Sequence, residues 1–412
     1  MTTQGKDKPL NLLAGVRVLD LGRLMPSAIV TAELAKMGAD VIKVELPPHG
    51  DYFRATPPYI RGRGDMHLNL NRNKRSICLD FRSRRGCETL LRMAASAHVL
   101  LEVSRPGTMD ELGLGYADVR KVNPGIIYAS ISGYGQDGPY HALPAHGLSA
   151  DTSSGMLDDF DARGIPRIPD NYVSVGPRAC GLYGAIAVLG ALYRQQASGE
   201  GQYLDVSQGD ATVAWNYRNL DTIANGGEPM PSYNKLGPRH TFYRTSDGKF
   251  VLFAATEKKF WHVFCDGVGR PDLKAHDTGE IVSYAEDDVM RQSLVDIIGS
   301  RTRDQWLEFG VKTGVPLSPL VERTELPANP NIVARNMIET GPHPLGGEIS
   351  LTGHPVKFAG RRIHYTVAPE MGADNASVLA DSGFSQDEID ALVRDKIVIG
   401  PDPKARMEKG AS

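Results

Sequence analysis

Cysteine and net charge are both scarce in this chain, and each shortage closes off a class of protein. Four cysteines in 412 residues, Cys78, Cys87, Cys180 and Cys265, make neither a disulfide framework nor a paired metal-ligand spacing. A reducing, cytoplasmic compartment and no bound metal are therefore expected. A formal net charge of -3 leaves no electrostatic footprint for nucleic acid or an anionic membrane, and neither is expected as a partner. The apolar stretch Ala179 to Leu192 is too short to span a bilayer. The opening residues MTTQGKDKPL lack the apolar core of a signal peptide and read as a loose arm. There is no internal repeat and no low-complexity segment.

What is present suits an α/β protein. With 412 residues the chain has length for about two to three domains, and 41% hydrophobic residues allow a sizeable core. Val16 to Leu21 is β-rich, the turn Gly22-Arg23-Leu24-Met25 leads to Pro26, Ser27 to Met37 is helical by pattern, and Ala39 to Glu45 is the next strand. Proline suits a first helical turn, so this βαβ unit predicts a doubly wound parallel sheet. The turn lacks Gly-x-Gly-x-x-Gly, which argues against a nicotinamide or flavin dinucleotide even though Glu45 could imitate a ribose-binding acid. Further strands are expected at Ser76 to Leu79, His98 to Glu102 and Ile126 to Ser132, and a helix over Gly86 to Ser96. Asn69 to Arg75 puts Lys74 and Arg75 among asparagines, a composition that can hold phosphate or lie solvated as a loop. Ser104-Arg105-Pro106-Gly107 forms a turn at the carboxyl end of a strand, where such sheets place ligands.

The chain is organised around Pro177 to Ala211. Ala179 to Leu192 is apolar on almost every face, with Gly181, Gly184, Ala187 and Gly190 where another element can approach, and predicts a fully buried helix. Ser198 to Gly201 supplies glycines to end it, Tyr203 to Ser207 reads as a strand, and Asp210 to Thr222 as a helix. A helix that starts Gly-Pro invites an anion or a catalytic carboxylate at its first turn. The Gly- and Pro-rich segment 225–239 marks a domain boundary and 316–330 a second linker. Between them lies a hairpin with Asp247-Gly248 as its turn, and Ser385 to Glu388 forms a capping box in the tail.

Seven segments resemble, in order, the family III CoA-transferases and their relatives the α-methylacyl-CoA racemases: LAGVRVLDLGRLMPS, GADVIKVELPPHGD, LNLNRNKRSICLD, RPGTMDELGLGY, NPGIIYASISGYGQDGP, GLYGAIAVLGAL and SGEGQYLDVSQGDA. The resemblance implies a large Rossmann-like, doubly wound domain over 10–224, a smaller α+β domain over 225–330, and a return to the large domain over 331–412. It implies two subunits interlocked like linked rings. Coenzyme A or an acyl-CoA would be bound as substrate, with no tightly held cofactor. The matching CoA contacts are Leu24, Met25 and Pro26 in the first turn, Asn73, Lys74 and Arg75, and Arg105. Val103-Ser104 stands where the family has Asn-Phe, and Leu46 where some members place an arginine.

The family's nucleophile is an aspartate at the start of the buried helix, which forms a mixed anhydride and then an aspartyl-CoA thioester. Matching GLYGAIAVLGALYRQQASGEGQYLDVS without gaps puts Pro177 there. Asp170 is seven residues upstream in a Pro-Asp-Asn turn, and Asp151 is a second distant acid. The racemase alternative would use His146 and Glu257 for proton removal and return, but it also needs the missing aspartate, and Gly147 replaces the aspartate after its histidine. The favoured expectation is a non-catalytic subunit of a heteromeric CoA-transferase, an interlocked heterodimer or heterotetramer in which a paralogous chain carries the aspartate. The chain resembles in particular the aspartate-lacking subunit type that moves CoA from succinyl-CoA to (R)-benzylsuccinate. A CoA-binding pseudoenzyme with a scaffolding role is the alternative outside catalysis.

Overall fold

Strands buried on both faces carry near-continuous apolar runs, and such runs, flanked by two more polar edge strands, build the six-stranded central sheet. The computed structural model describes residues 8–157, 159–228, 237–277, 279, 284 and 286–401. The sheet consists of β1 (Arg17–Asp20), β2 (Asp40–Glu45), β3 (Lys74–Cys78), β4 (Val99–Glu102), β5 (Ile127–Ser132) and β6 (Gln202–Ser207). All neighbours are parallel, in the order β3-β2-β1-β4-β5-β6. That order is the Rossmann arrangement of two halves wound outward from β1 and β4.

Alternate residues of each strand point to opposite faces, so Val18, Val41 and Val99 enter one core while Leu19, Ile42 and Leu100 enter another. Over the first face lie α1 (Met25–Lys36) and, further along the chain, α4 (Gly176–Ser198). The second face is covered by α2 (Arg84–Ala94) and by helices of the tail. The helices α1 and α4 approach closely because α4 has glycine at the contact. A Cβ added to Gly181 would lie 2.6 Å from Ile29 Cβ, and one added to Gly184 would lie 2.9 Å from Val30 Cγ2. The short helix α3 (Gly147–Ser153) precedes α4, and α5 (Gln208–Trp215) follows β6.

The chain divides into two compact units, one holding residues up to Leu220 together with those from Met337, the other spanning Asp221–Asn336. The division falls after 220 and 336, where the sequence reading placed it after 224 and 330. In the second unit, β7 (His240–Arg244), β8 (Phe250–Ala254) and β9 (Leu317–Pro319) form an antiparallel sheet. They pack with α6 (Lys258–Gly267), α7 (Asp288–Gly299) and α8 (Arg303–Thr313) around Phe253, Trp261, Phe264, Leu294 and Trp306. Gly248 takes φ +77° in the hairpin turn, as the Asp-Gly pair demands.

The tail closes the first unit. Its helices α9 (Asn375–Asp381) and α10 (Gln386–Arg394) bury Val378, Leu379, Ile389 and Leu392 on the sheet. The edge strand β3 donates Ser76 N–H to Asp374 Oδ2 at 2.8 Å and Cys78 N–H to Asn375 Oδ1 at 3.0 Å. The capping box forms, with Ser385 N–H donating to Glu388 Oε2 at 2.7 Å.

Four expectations need correction. Of the loose arm, residues 1–7 lie outside the described ones, but Lys8–Pro9 runs parallel to Arg361–Arg362 and Leu10 is buried. The segment 316–330 is not only a linker, because Leu317–Pro319 pairs with Val251–Phe253 and supplies an edge strand. The helix expected over Asp210 to Thr222 is broken at Asn216, whose side chain donates to the carbonyls of Ser154 and Gly155. And Ala179 to Leu192 of α4 is not buried all round: Leu182 and Ile186 are 46% and 65% exposed, because only the glycine-bearing side packs on α1.

Candidate active site

After β1 the chain winds through β2 to β3, then returns to place β4 on the other side of β1, so the loops following β1 and β4 diverge. Ligands of open α/β sheets bind in the crevice that opens there. A cavity of about 590 Å³ occupies this position. It is lined by Arg23 to Pro26 after β1, Val103 to Pro106 after β4, Ile131 to Gly133 at the end of β5, and His141 and Leu143 to Gly147. Tyr52, Phe53, Ser174, Pro177, Arg178 and Gln208 complete it. The wall is mostly apolar and contains three arginines and two histidines but no carboxylate. Among the described residues no acidic side chain pairs with Arg23, Arg105 or Arg178. Arg23 reaches only the Tyr52 hydroxyl at 3.4 Å, and Arg178 Nη1 donates to the Ser174 carbonyl at 2.6 Å. The site is built to receive negative charge on a ligand with apolar surface.

The turn Gly22 to Leu24 is held from beneath by buried charge. The side chains of Lys43, Asp20, Lys74 and Asp51 are all fully shielded from solvent. Lys43 Nζ lies 2.8 Å from Asp51 Oδ2 and donates to the Gly22 carbonyl at 3.0 Å, while Asp20 Oδ1 accepts the Gly22 N–H at 3.0 Å. Asp51 Oδ1 accepts from Leu24 N–H at 3.4 Å, at a residue forced to φ 63° and ψ -164°. Burial disfavours charge on Lys43, but Asp20 and Asp51 outweigh it and raise its pKa to about 12. Beside it, Lys74 Nζ donates to Asp20 Oδ2 at 3.1 Å, Thr31 Oγ1 at 2.6 Å and Asn71 Oδ1 at 2.9 Å. Burial dominates there; Asp20 supports the charge and Lys43 opposes it, leaving the ammonium at about 8.

At the start of α4 the proline at 177 is buried, and an added Cβ on Gly147 would lie 2.4 Å from its Cγ. The anion that this helix start calls for comes from behind. The fully buried Asp151 accepts the Gly176 N–H at 2.6 Å, the Val175 N–H at 3.0 Å and the Tyr172 hydroxyl at 3.1 Å. Asp151 is thus committed to the fold and does not line the cavity.

Of the residues named from sequence, Leu24, Met25, Pro26, Arg105, His146 and Pro177 come together in the cavity wall. The structure does not bring Asn73, Lys74 and Arg75 there. They open β3, at the amino ends of the strands, whereas the cavity lies at the carboxyl ends. Asn73 holds the tail, donating Nδ2–H to the His364 carbonyl at 2.7 Å; Lys74 is internal, and Arg75 pairs with Asp40 at 2.7 Å and Asp381 at 2.7 Å. Asp170 is exposed in a turn closed by Tyr172 N–H on the Pro169 carbonyl. Glu257 belongs to the second unit, as N-cap of α6. Glu45 is buried against Arg54 at 2.6 Å, so it is not available to a ribose. Sequence reasoning missed Tyr52, Phe53, Ser174, Arg178 and Gln208; only Arg178, adjacent to the nucleophile position, carried a signal. Among the described residues no three side chains cluster as metal ligands, and no helix is long and apolar enough to cross a membrane.

Parallel sheet, switch-point cavity and an acid-free wall with three arginines define an α/β protein whose cavity suits an anionic ligand. The comparisons make this specific: the sequence profile of CoA-transferase family III matches residues 13–375, and the chain belongs to that family. It is 31% identical to the acetyl-CoA:oxalate CoA-transferase of Acetobacter aceti over 87% of this chain and 92% of that protein. It is 29% identical to the alpha subunit of succinyl-CoA–L-malate CoA-transferase from Chloroflexus aurantiacus, over 81% of this chain and 80% of the other. The beta subunit of that enzyme is also 29% identical, over 94% and 98%. Among solved structures, a hypothetical protein from Mycobacterium tuberculosis superposes with TM-score 0.76 at 28% identity, covering 90% of this chain and 99% of that one.

Proposed function

We propose that this chain is the aspartate-lacking subunit of a heteromeric family III CoA-transferase, with the nucleophilic aspartate on a paralogous partner. One observation carries the reading: the nucleophile position holds Pro177, packed on Gly147, in a cavity wall that contains no carboxylate. A proline has no atom that can attack a thioester. The acyl-CoA enters the switch-point cavity, with Leu24 to Pro26 and Arg105 on its CoA portion, while Lys74 acts from beneath the turn rather than on phosphate. Succinyl-CoA is the donor and an aryl-substituted dicarboxylic acid of the (R)-benzylsuccinate kind the acceptor. The mixture of arginines and apolar side chains in the wall supports such an acid. The exposed Leu182, Ile186 and Tyr193 on α4 support a partner chain lying there in an interlocked pair. The four unpaired cysteines support a cytoplasmic setting.

The test is co-purification and assay. The chain is expected to bring down a paralogue with aspartate at the equivalent helix start, and to move CoA between acids only in that complex. CoA transfer by the chain alone sinks the proposal. Deuterium entry at the α-carbon of a branched acyl-CoA with the chain alone favours instead a racemase using His146, which lines the cavity. CoA binding with neither activity nor a paralogous partner leaves a scaffolding pseudoenzyme.

A further inference from the structure

Arg178 is the third residue of α4, one beyond Pro177, and lines the cavity. It is anchored rather than free to swing, because Nη1 donates to the Ser174 carbonyl at 2.6 Å. Among the described residues no carboxylate neutralises it. Beside it Ser174 also lines the cavity, and its hydroxyl, just beneath the surface, has no hydrogen-bond partner. An anchored guanidinium and, once the Ser174 side chain turns outward, an unsatisfied hydroxyl on neighbouring wall residues can both donate to a carboxylate. The other two arginines, Arg23 and Arg105, come from the turns after β1 and β4, so positive charge enters the cavity from separate elements. Gly147 and the ring of Pro177 present only carbon between them.

We infer that Arg178, with Ser174, is the specificity-determining pair of this subunit, selecting acyl-CoA thioesters whose acyl chain ends in a free carboxylate over those that end in a methyl group. This rests on the CoA-binding reading above and deepens it. The subunit would hold a dicarboxylic acyl-CoA intact, because position 177 offers nothing to attack the thioester.

Calorimetric titration of the purified full-length chain, with its partner where one co-purifies, tests this with three probes: CoA, butyryl-CoA and succinyl-CoA. In the co-purified complex the catalytic aspartate of the partner is first changed to asparagine. Succinyl-CoA is expected to bind more tightly than butyryl-CoA, and Arg178→Gln to weaken succinyl-CoA about ten- to a hundredfold while CoA and butyryl-CoA stay within about twofold. Arg178→Lys should keep part of the preference, and Ser174→Ala should lose a smaller part. An unchanged preference for succinyl-CoA in Arg178→Gln overturns the inference. So does an equal loss for all three probes, which would put Arg178 on the phosphates of CoA. Failure of the unaltered chain to bind any of the three is a different result and overturns the CoA-binding reading itself. Circular dichroism of each variant separates lost folding from lost selection.

Discussion

Gly147 and Pro177 occupy each other's space: a methyl group on Gly147 would lie 2.4 Å from the Cγ of Pro177. These are the two positions at which the racemase and transferase patterns carry aspartates, and here the proline ring fits only because residue 147 has no side chain. A proline ring has little freedom to withdraw, so Gly147→Ala should lower stability by about 1–3 kcal/mol in urea unfolding. Adding Pro177→Ala should restore at least about 1 kcal/mol, a coupling that additive behaviour in the double variant would disprove.

Asp151 is the anion of the α4 start, and its removal should be felt in stability before chemistry. Asp151→Ala leaves the Gly176 and Val175 N–H groups and the Tyr172 hydroxyl without their acceptor. A loss of about 3 kcal/mol or more is expected. Asp151→Asn keeps one acceptor oxygen and should lose about half as much. An asparagine variant that unfolds like the original protein but abolishes transfer in the complex would instead make Asp151 the nucleophile.

The strands were legible because apolar β-rich runs have few other uses in an α/β chain; β2 and β5 differ from their expected spans by one residue at the start. The close approach at Gly181 and Gly184 was legible for the same kind of reason, since small residues at helical spacing have a contact to explain. Lys74 was not. A lysine among asparagines looks like a phosphate contact, and nothing local shows that an aspartate 54 residues away will bond it, or that one 35 residues away will take Arg75. Ion pairing of this kind is decided by sheet register. Tyr52 and Phe53 enter the cavity from a segment with no periodicity at all, so only the folded chain locates them.

Leu24 bears the strain of the cavity turn, and glycine should be the better residue there. At φ 63° and ψ -164° a Cβ is poorly accommodated, a strain of order 1–3 kcal/mol. Comparing two variants that both lose the leucine side chain isolates the backbone: Leu24→Gly should be more stable than Leu24→Ala by about 1 kcal/mol. Alanine equal to or better than glycine would mean that the turn relaxes when the side chain goes. Lys43→Met attacks the same turn from below. It leaves Asp51 without the ammonium 2.8 Å away and removes the donor to the Gly22 carbonyl, so a loss of about 3–5 kcal/mol is expected.

Lys74 should make the protein more stable as the solution becomes alkaline, which is the reverse of what a salt-bridged surface lysine does. Burial, only partly offset by Asp20 and aggravated by Lys43, lowers its pKa from 10.5 to about 8. Below pH 8 both folded and unfolded chains carry the proton, and the folded state bears the full penalty of an incompletely compensated charge. Between about 8 and 10.5 the folded chain releases the proton while the unfolded chain keeps it, so unfolding takes up a proton and stability rises with pH, at most by about 1.4 kcal/mol per unit. Lys74→Met has no such titration and leaves Thr31 and Asn71 in place, so the other groups of the protein largely cancel in the comparison. Urea unfolding of both proteins from pH 7 to 10 should show the original gaining on the variant as pH rises. A flat or falling difference would mean that Asp20 holds the proton on Lys74 through this range. The same variant separates the two roles assigned to this lysine: a phosphate contact would weaken CoA binding most below pH 8, where the ammonium is charged, whereas a prop beneath the Arg23 to Pro26 turn alters CoA affinity at both ends of the range.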